Sequence, residues 1–259
     1  MQKFLFIFLF LVPFFGASPA FAQEEESDDW EINIAPYFLL ANLSGNATIG
    51  PISGPVNLSF KDLLENLQIG GMLHSEGRKG RVGLMTDIIY AKLGAATSLA
   101  QGATVSTEVE MFILEAFGFY RLQKTKGKVD VYAGIRYWSF DFDTNFTLNQ
   151  ATLMHRTSPN WVEPVIGIRT IQPLSPKWLV IIRADIGGFG VSSDFSWNIQ
   201  GAIGRKLGRR TKALLGYRYL KTDYNNGITG IGAFAFDSAV HGVFLGVNFT
   251  FGPGTRVAK

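Results

Sequence analysis

The stretch that decides the fold is His241–Phe251, HGVFLGVNFTF. Read in steps of two, Val243, Leu245, Val247, Phe249 and Phe251 share one face, and Gly242, Phe244, Gly246, Asn248 and Thr250 the other. Side chains alternate across a strand, so this is a β-strand with one apolar face. Working backwards, the same period returns. Phe195, Trp197, Ile199 and Ile203 oppose Ser196, Asn198, Gln200, Ala202 and Gly204. Val82, Leu84, Ile88 and Tyr90 oppose Gly83, Met85, Asp87 and Ala91; Trp30, Ile32, Ile34 and Phe38 oppose Glu31, Asn33 and Ala35. About ten such segments are predicted, near 30–42, 67–77, 81–94, 105–121, 128–142, 160–172, 177–189, 194–207, 211–223 and 238–251.

Each segment is long enough for the ~9–11 tilted residues of a membrane strand. Which face looks outward separates a membrane barrel from a soluble, lipocalin-like one. The polar face carries about one charge per strand, too few for a solvated surface, and lysines avoid the strand middles. Trp30, Tyr90, Tyr120, Trp178, Trp197 and Phe251 stand near segment ends, where interfacial girdles form. These features predict an all-β, transmembrane, antiparallel up-and-down β-barrel of about ten strands, with eight to twelve open. Turns at Gly77–Gly80, Lys124–Gly127, Leu174–Lys177 and Gly208–Arg210 alternate with longer connectors near 43–66, 95–104, 143–159 and 224–237, the expected arrangement of short periplasmic turns and long outer loops. The short turn near Gly190–Ser193 breaks that rule.

Composition agrees. Of 259 residues only 17% are charged, 14% are aromatic, and there are 29 Gly and 22 Phe. A net charge of +3 without a basic, aromatic-interleaved cluster gives no reason to expect nucleic acid. There is no Cys, which excludes disulfides, thiolate metal sites, a Cys nucleophile and a lipoprotein anchor. No cofactor motif or metal-ligand cluster appears, and no cofactor is expected.

The N-terminus reads as a secretory signal peptide over 1–22: Lys3, an apolar run from Phe4 to Phe15, and Ala20-Phe21-Ala22 before Gln23 as the first mature residue. An acidic leader (23–29), a barrel (30–251) and a tail (252–259) follow. In the first long connector, Ser59-Phe60-Lys61-Asp62 has capping-box spacing, and Phe60, Leu63, Leu64 and Leu67 fall at helical intervals. A short helix is expected there, either one turn that closes the loop or a plug in the barrel mouth.

An apolar exterior sends the strand charges inward: Glu31, Glu76, Asp87, Glu115, Asp130, Glu163 and Asp185 with Arg136, Arg169, Arg183 and Arg218, and His74 among them. On the lipid face each would cost about 2–4 kcal/mol at the midplane. A guanidinium can serve two acids at once, so a lumenal arginine–carboxylate network is expected. It is either a packed core or a polar path for ions and small solutes. At ~8 strands side chains just fill a barrel, and aqueous channels belong to ~16–18.

WEINIAPYFLLA (Trp30–Ala41), GIRYW (Gly134–Trp138), WVEPVIGIR (Trp161–Arg169), RADIGGFGVSSDFSW (Arg183–Trp197), LGYRYLKTDY (Leu215–Tyr224) and His241–Phe251 together resemble a family of uncharacterised proteobacterial outer-membrane β-barrel proteins, porin-like or OmpA-barrel-like. The resemblance covers nearly the whole mature chain. It implies the outer membrane of a Gram-negative bacterium, contact with outer-membrane lipids and lipopolysaccharide, and passage through periplasmic chaperones and the barrel-assembly machinery; it carries no substrate and leaves the oligomeric state open. The family's barrels often end on an aromatic residue, whereas Phe251 is followed by Gly252–Lys259. The function expected is a narrow pore or passive transporter. The alternatives are a plugged structural, adhesive or partner-binding barrel acting through its long loops, and a rim hydrolase. For the last, Asp237 and His241 at the rim are similar to the omptin proteases in placement. The surrounding motifs differ, however, and the strands read as too short to rise well above the membrane, so no enzyme is expected.

Overall fold

A computed structural model describes residues 29–98, 104–123, 127–148 and 151–252. The signal-peptide and leader residues, Ala20, Ala22 and Gln23 among them, lie outside this set, as does the tail beyond Gly252. Twelve strands and one helix follow in order: β1 (Glu31–Ile49), β2 (Ile52–Leu58), α1 (Phe60–Glu65), β3 (Leu67–Lys79), β4 (Val82–Ser98), β5 (Thr104–Gln123), β6 (Lys128–Leu148), β7 (Ala151–Thr157), β8 (Asn160–Pro173), β9 (Trp178–Gly187), β10 (Ser193–Lys206), β11 (Thr211–Asn225) and β12 (Phe234–Phe251).

Ten of them close a barrel, β1-β3-β4-β5-β6-β8-β9-β10-β11-β12, with β12 returning to β1 over nearly its whole length. Closure gives each of the ten strands a neighbour on both sides, which is what a spanning sheet requires. The two extra strands continue existing ones. β7 pairs with β6 above β8, and between Thr157 and Asn160 the chain is interrupted at Pro159, which cannot donate to the ladder. β2 pairs with β1 above β3 in the same way, but here α1 fills the interruption.

Two expectations are corrected. The connectors at 43–66 and 143–159 are largely strand, and β1, β4, β5, β6 and β12 run 17–21 residues, well past what spans a bilayer. The strands therefore do extend well past the apolar belt. The mature polar segments there (Asn42–Ile49, Asp141–Leu148) alternate too weakly in hydrophobicity to be read as strand, and ladder pairing alone keeps them extended. Above the belt the wall divides into two ribbons, β2-β1-β12-β11 and β7-β6-β5-β4. In addition, Arg78 and Lys79 belong to β3 rather than to the turn, leaving Gly80 in the left-handed conformation as the pivot.

The exterior is apolar, as the period predicts: Leu84, Ile135, Ile166, Ile182, Ile199, Leu215 and Leu245 are each about half exposed. Inward glycines make room for cross-strand rings. Gly83 lies opposite Phe119, and Gly216 opposite Phe244; a Cβ at either glycine would come within 2.3 or 2.4 Å of the ring.

Candidate functional site

The lumen holds three layers. At the short-turn end, Arg169 donates to Glu76 (2.6 Å) and to Asp130 (2.7 Å), and Arg121 clamps the same Asp130 with Nε at 2.6 Å and Nη2 at 2.9 Å. The ring of Phe119 lies against both guanidinium groups, at 5.0 Å from Arg169 and 5.8 Å from Arg121.

The middle layer centres on Glu115. Its Oε1 accepts from Arg136 (2.7 Å) and Arg218 (2.6 Å), and its Oε2 from Arg183 (2.8 Å). Arg136 fans out further, to Glu163 (2.9 Å) and Asp185 (2.6 Å), so one guanidinium serves three carboxylates. Tyr132 donates to Asp185 (2.8 Å) and accepts from Arg183 (2.9 Å). Asn198 donates to Asp185 (2.8 Å) and accepts from Arg218 (3.1 Å). Asp87 accepts from Tyr37 (2.6 Å), has His74 Nδ1 at 3.3 Å and Arg218 at 3.6 Å. Ser193 and Thr222 donate to Glu163. Arg136, Glu115, Glu163 and Asn198 are 0% exposed. Such burial of charge is tolerable only because nearly every lone pair and N–H is matched.

Above this lies an aromatic layer. Trp138 stacks on Trp161 (5.5 Å), Trp161 on Tyr224 (4.0 Å) and Phe140 on Phe142 (5.8 Å), with Phe234 and Phe236 tilted against them.

Eleven of the twelve charges expected in the lumen fall into the two ionic layers. Glu31 is the exception: half-buried at the lower lip, it pairs with Arg78 at 2.9 Å. His74 turns across the ladder to Asp87 rather than along its own strand to Glu76. Arg121, Tyr132 and Tyr37 join the network in addition to the expected charges, as does Asn198, which the two-residue period already puts on the polar face. All four lie on the inward face by the same two-residue count, and that parity was the available signal. Trp138 and Trp161 point into the lumen, unlike the girdle aromatics.

The loop helix forms with both halves of its capping box: Asp62 N–H donates to Ser59 Oγ (3.3 Å) and Ser59 N–H to Asp62 Oδ2 (2.8 Å). The Ser59 hydroxyl and amide hold the Asp62 carboxyl below its ordinary range. Leu67 belongs to β3, not to the helix. The helix is tied to the wall on both sides, by Phe60 N–H to Asn42 Oδ1 (2.9 Å) and by Gly94 N–H to Asn66 O (2.9 Å).

His241 and Asp237 share the outer face of β12, four residues and therefore roughly 13 Å apart. Asp237 pairs with Lys221 (2.9 Å), and His241 lies between Ser44 (3.2 Å) and Tyr217 (2.8 Å). The structure does not bring Asp237 and His241 together. Among the described residues no group of three or more His, Asp or Glu side chains has metal-site geometry.

No protein-family model matches the chain, and no curated protein matches it in sequence. Among solved structures it is similar to the translocator domain of the autotransporter NalP from Neisseria meningitidis (15% identity, 88% of this chain and 90% of that one, TM-score 0.46). It is also similar to the outer membrane protease OmpT from Escherichia coli (8%, 86% and 97%, 0.47) and to Ail, the attachment invasion locus protein of Yersinia pestis (12%, 86% and 98%, 0.37).

Proposed function

We propose that this chain is an outer-membrane β-barrel of a Gram-negative bacterium whose lumen is sealed, and that it serves as a structural or partner-binding barrel through its outer ribbons. One observation carries this reading. Arg136, Glu115 and Glu163, in the middle of the lumen, are 0% exposed, beneath the stacked Trp138 and Trp161. A diffusion pore needs a water-filled path, and the side chains that would line it are bonded to one another instead. This favours the packed-core reading over the narrow pore or passive transporter. The ribbons present large apolar side chains far from the belt, with Ile52 76%, Leu153 73% and Met154 82% exposed. These side chains lie on both ribbons, where the outer strands stand clear of the packed lumen and are open to a partner. No catalytic role is proposed.

Planar-bilayer recording tests the sealed lumen. Folded protein, verified by a heat-modifiable gel shift, should give no reproducible single-channel steps. Steady unitary conductance from the wild-type protein, altered by Arg183→Ala or Arg218→Ala, would establish the pore instead.

A further inference from the structure

The barrel wall is not continuous. β1 pairs with β3 up to Tyr37–Met72 and with β2 from Leu43–Leu58. Between these points five residues of β1, Phe38 to Asn42, face thirteen residues of the chain opposite, Ser59 to Gly71, which comprise α1 and the first residues of β3, and no ladder pair joins them on that side. The amide of Leu39 aims into the gap and donates to the thioether of Met72, at 3.2 Å. A thioether is a weak acceptor, and a backbone N–H at membrane depth normally finds a carbonyl. α1 fills the gap without pairing with it.

Behind the helix lies an apolar cavity of about 100 Å³. Its walls come from both sides of the barrel. Phe38 and Tyr90 belong to the outward face, while Met72, Ile89, Met111 and Phe140 belong to the lumen. The cavity therefore crosses the wall, from the lipid side to the packed interior, under a roof of Phe60, Leu63 and Leu64. Apolar cavities of this order stay dry and admit small hydrocarbons.

Its height is fixed by the outward residues around it. Below are Leu84, Ile88 and Leu73 of the lipid belt. Just above is an ionic cluster on the outer face, Lys92 with Glu108 (3.1 Å) and Glu110 (2.9 Å), joined by the Tyr90 hydroxyl at 3.2 Å from Glu110. Tyrosine with charged neighbours marks the headgroup level. The gap thus opens at the upper edge of the belt, where an outer-leaflet lipid has its ester-linked chains.

We infer that this wall gap is a binding site for an acyl chain of an outer-leaflet lipid, whose end enters between β1 and β3 beneath α1 and reaches Met72, Ile89 and Met111. The lining is apolar apart from Asn42, whose amide is bonded to Phe60 and His241, and it is continuous with the surface that already faces lipid. A chain entering sideways needs no water path, so the site is compatible with the sealed lumen. The inference rests on the membrane placement proposed above but not on the lumen being closed; the conductance assay reports on one and the labelling below on the other.

The test is photolabelling of folded protein in bilayers of phosphatidylcholine carrying a diazirine at the acyl-chain end, with labelled residues mapped by mass spectrometry. Label is expected at the inward-facing Met72, Ile89 or Met111 as well as along the outer belt. Met111→Phe, which fills the cavity, should reduce the inward label severalfold and leave label near Leu245 unchanged. Leu63→Trp serves the same purpose should Met111→Phe lose its heat-modifiable mobility. Wild-type label confined to outward residues overturns the site. So does inward label obtained only from diazirine dodecanoic acid added from water and never from the phospholipid, since that would make it a site for a free amphiphile.

Discussion

Glu115 receives three arginines through two oxygens and is fully buried. Removing its charge leaves Arg136, Arg183 and Arg218 short of an acceptor at the centre of the barrel. Breaking a buried ionic network from one side costs about 3–5 kcal/mol. Glu115→Gln should therefore lower the temperature at which the folded form loses its heat-modifiable gel mobility, and shift its denaturant midpoint down. Glu31→Gln, at the half-exposed lower lip, should change neither measurably. Packing makes a second prediction at this scale. Gly83→Val places a Cβ within 2.3 Å of the Phe119 ring, which lies against Arg121 and Arg169. Overpacking costs about 1–3 kcal/mol, and denaturant titration should show that loss. The inward charges were legible from the sequence because parity alone sends them to the lumen. Their partners were not. Arg136 reaches Glu163 and Asp185 on two other strands, and which acids meet depends on ladder register, which no single strand encodes.

At the scale of elements, α1 is six residues, too short to persist on propensity alone. Its capping box and its two ties to the wall hold it. The folded state keeps the Asp62 carboxyl below its ordinary range, so this contribution is present above the usual carboxylate titration and is lost as pH falls through the depressed value. Amide exchange in Asp62 and Leu63 should stay slow to a pH below that range and then quicken. Asp62→Ala should quicken it at pH values above that titration and converge with the wild type below it, with the β12–β1 ladder unaffected. The helix was readable in advance from Ser59, Asp62 and the leucine spacing. Its seat in the wall was not, because the missing β1–β3 pairs come from a mismatch in length between two strands, each of which looks regular by itself.

For the whole molecule, the position of the apolar belt makes a depth-dependent prediction. An arginine near the bilayer midplane costs about 2–4 kcal/mol, falling to roughly 0–1 near the interface. Leu245→Arg should destabilise the barrel in liposomes by the larger amount. Ser139→Arg, outward on β6 beside Asp141 at the upper edge, should be nearly neutral. Equal penalties at the two sites would mean that the belt does not lie where the exposed apolar rows place it.

The sequence by itself determined the class of fold, the alternation of an apolar and a polar face, and most of the charges that lie in the lumen; it left the strand number between eight and twelve. What it determined follows from period two, a local property that every strand states independently. The tertiary structure decided what fills the lumen, how far the strands extend, and where the wall opens. Those depend on register and on strand-length differences across the closed sheet, so they exist only once β12 has met β1.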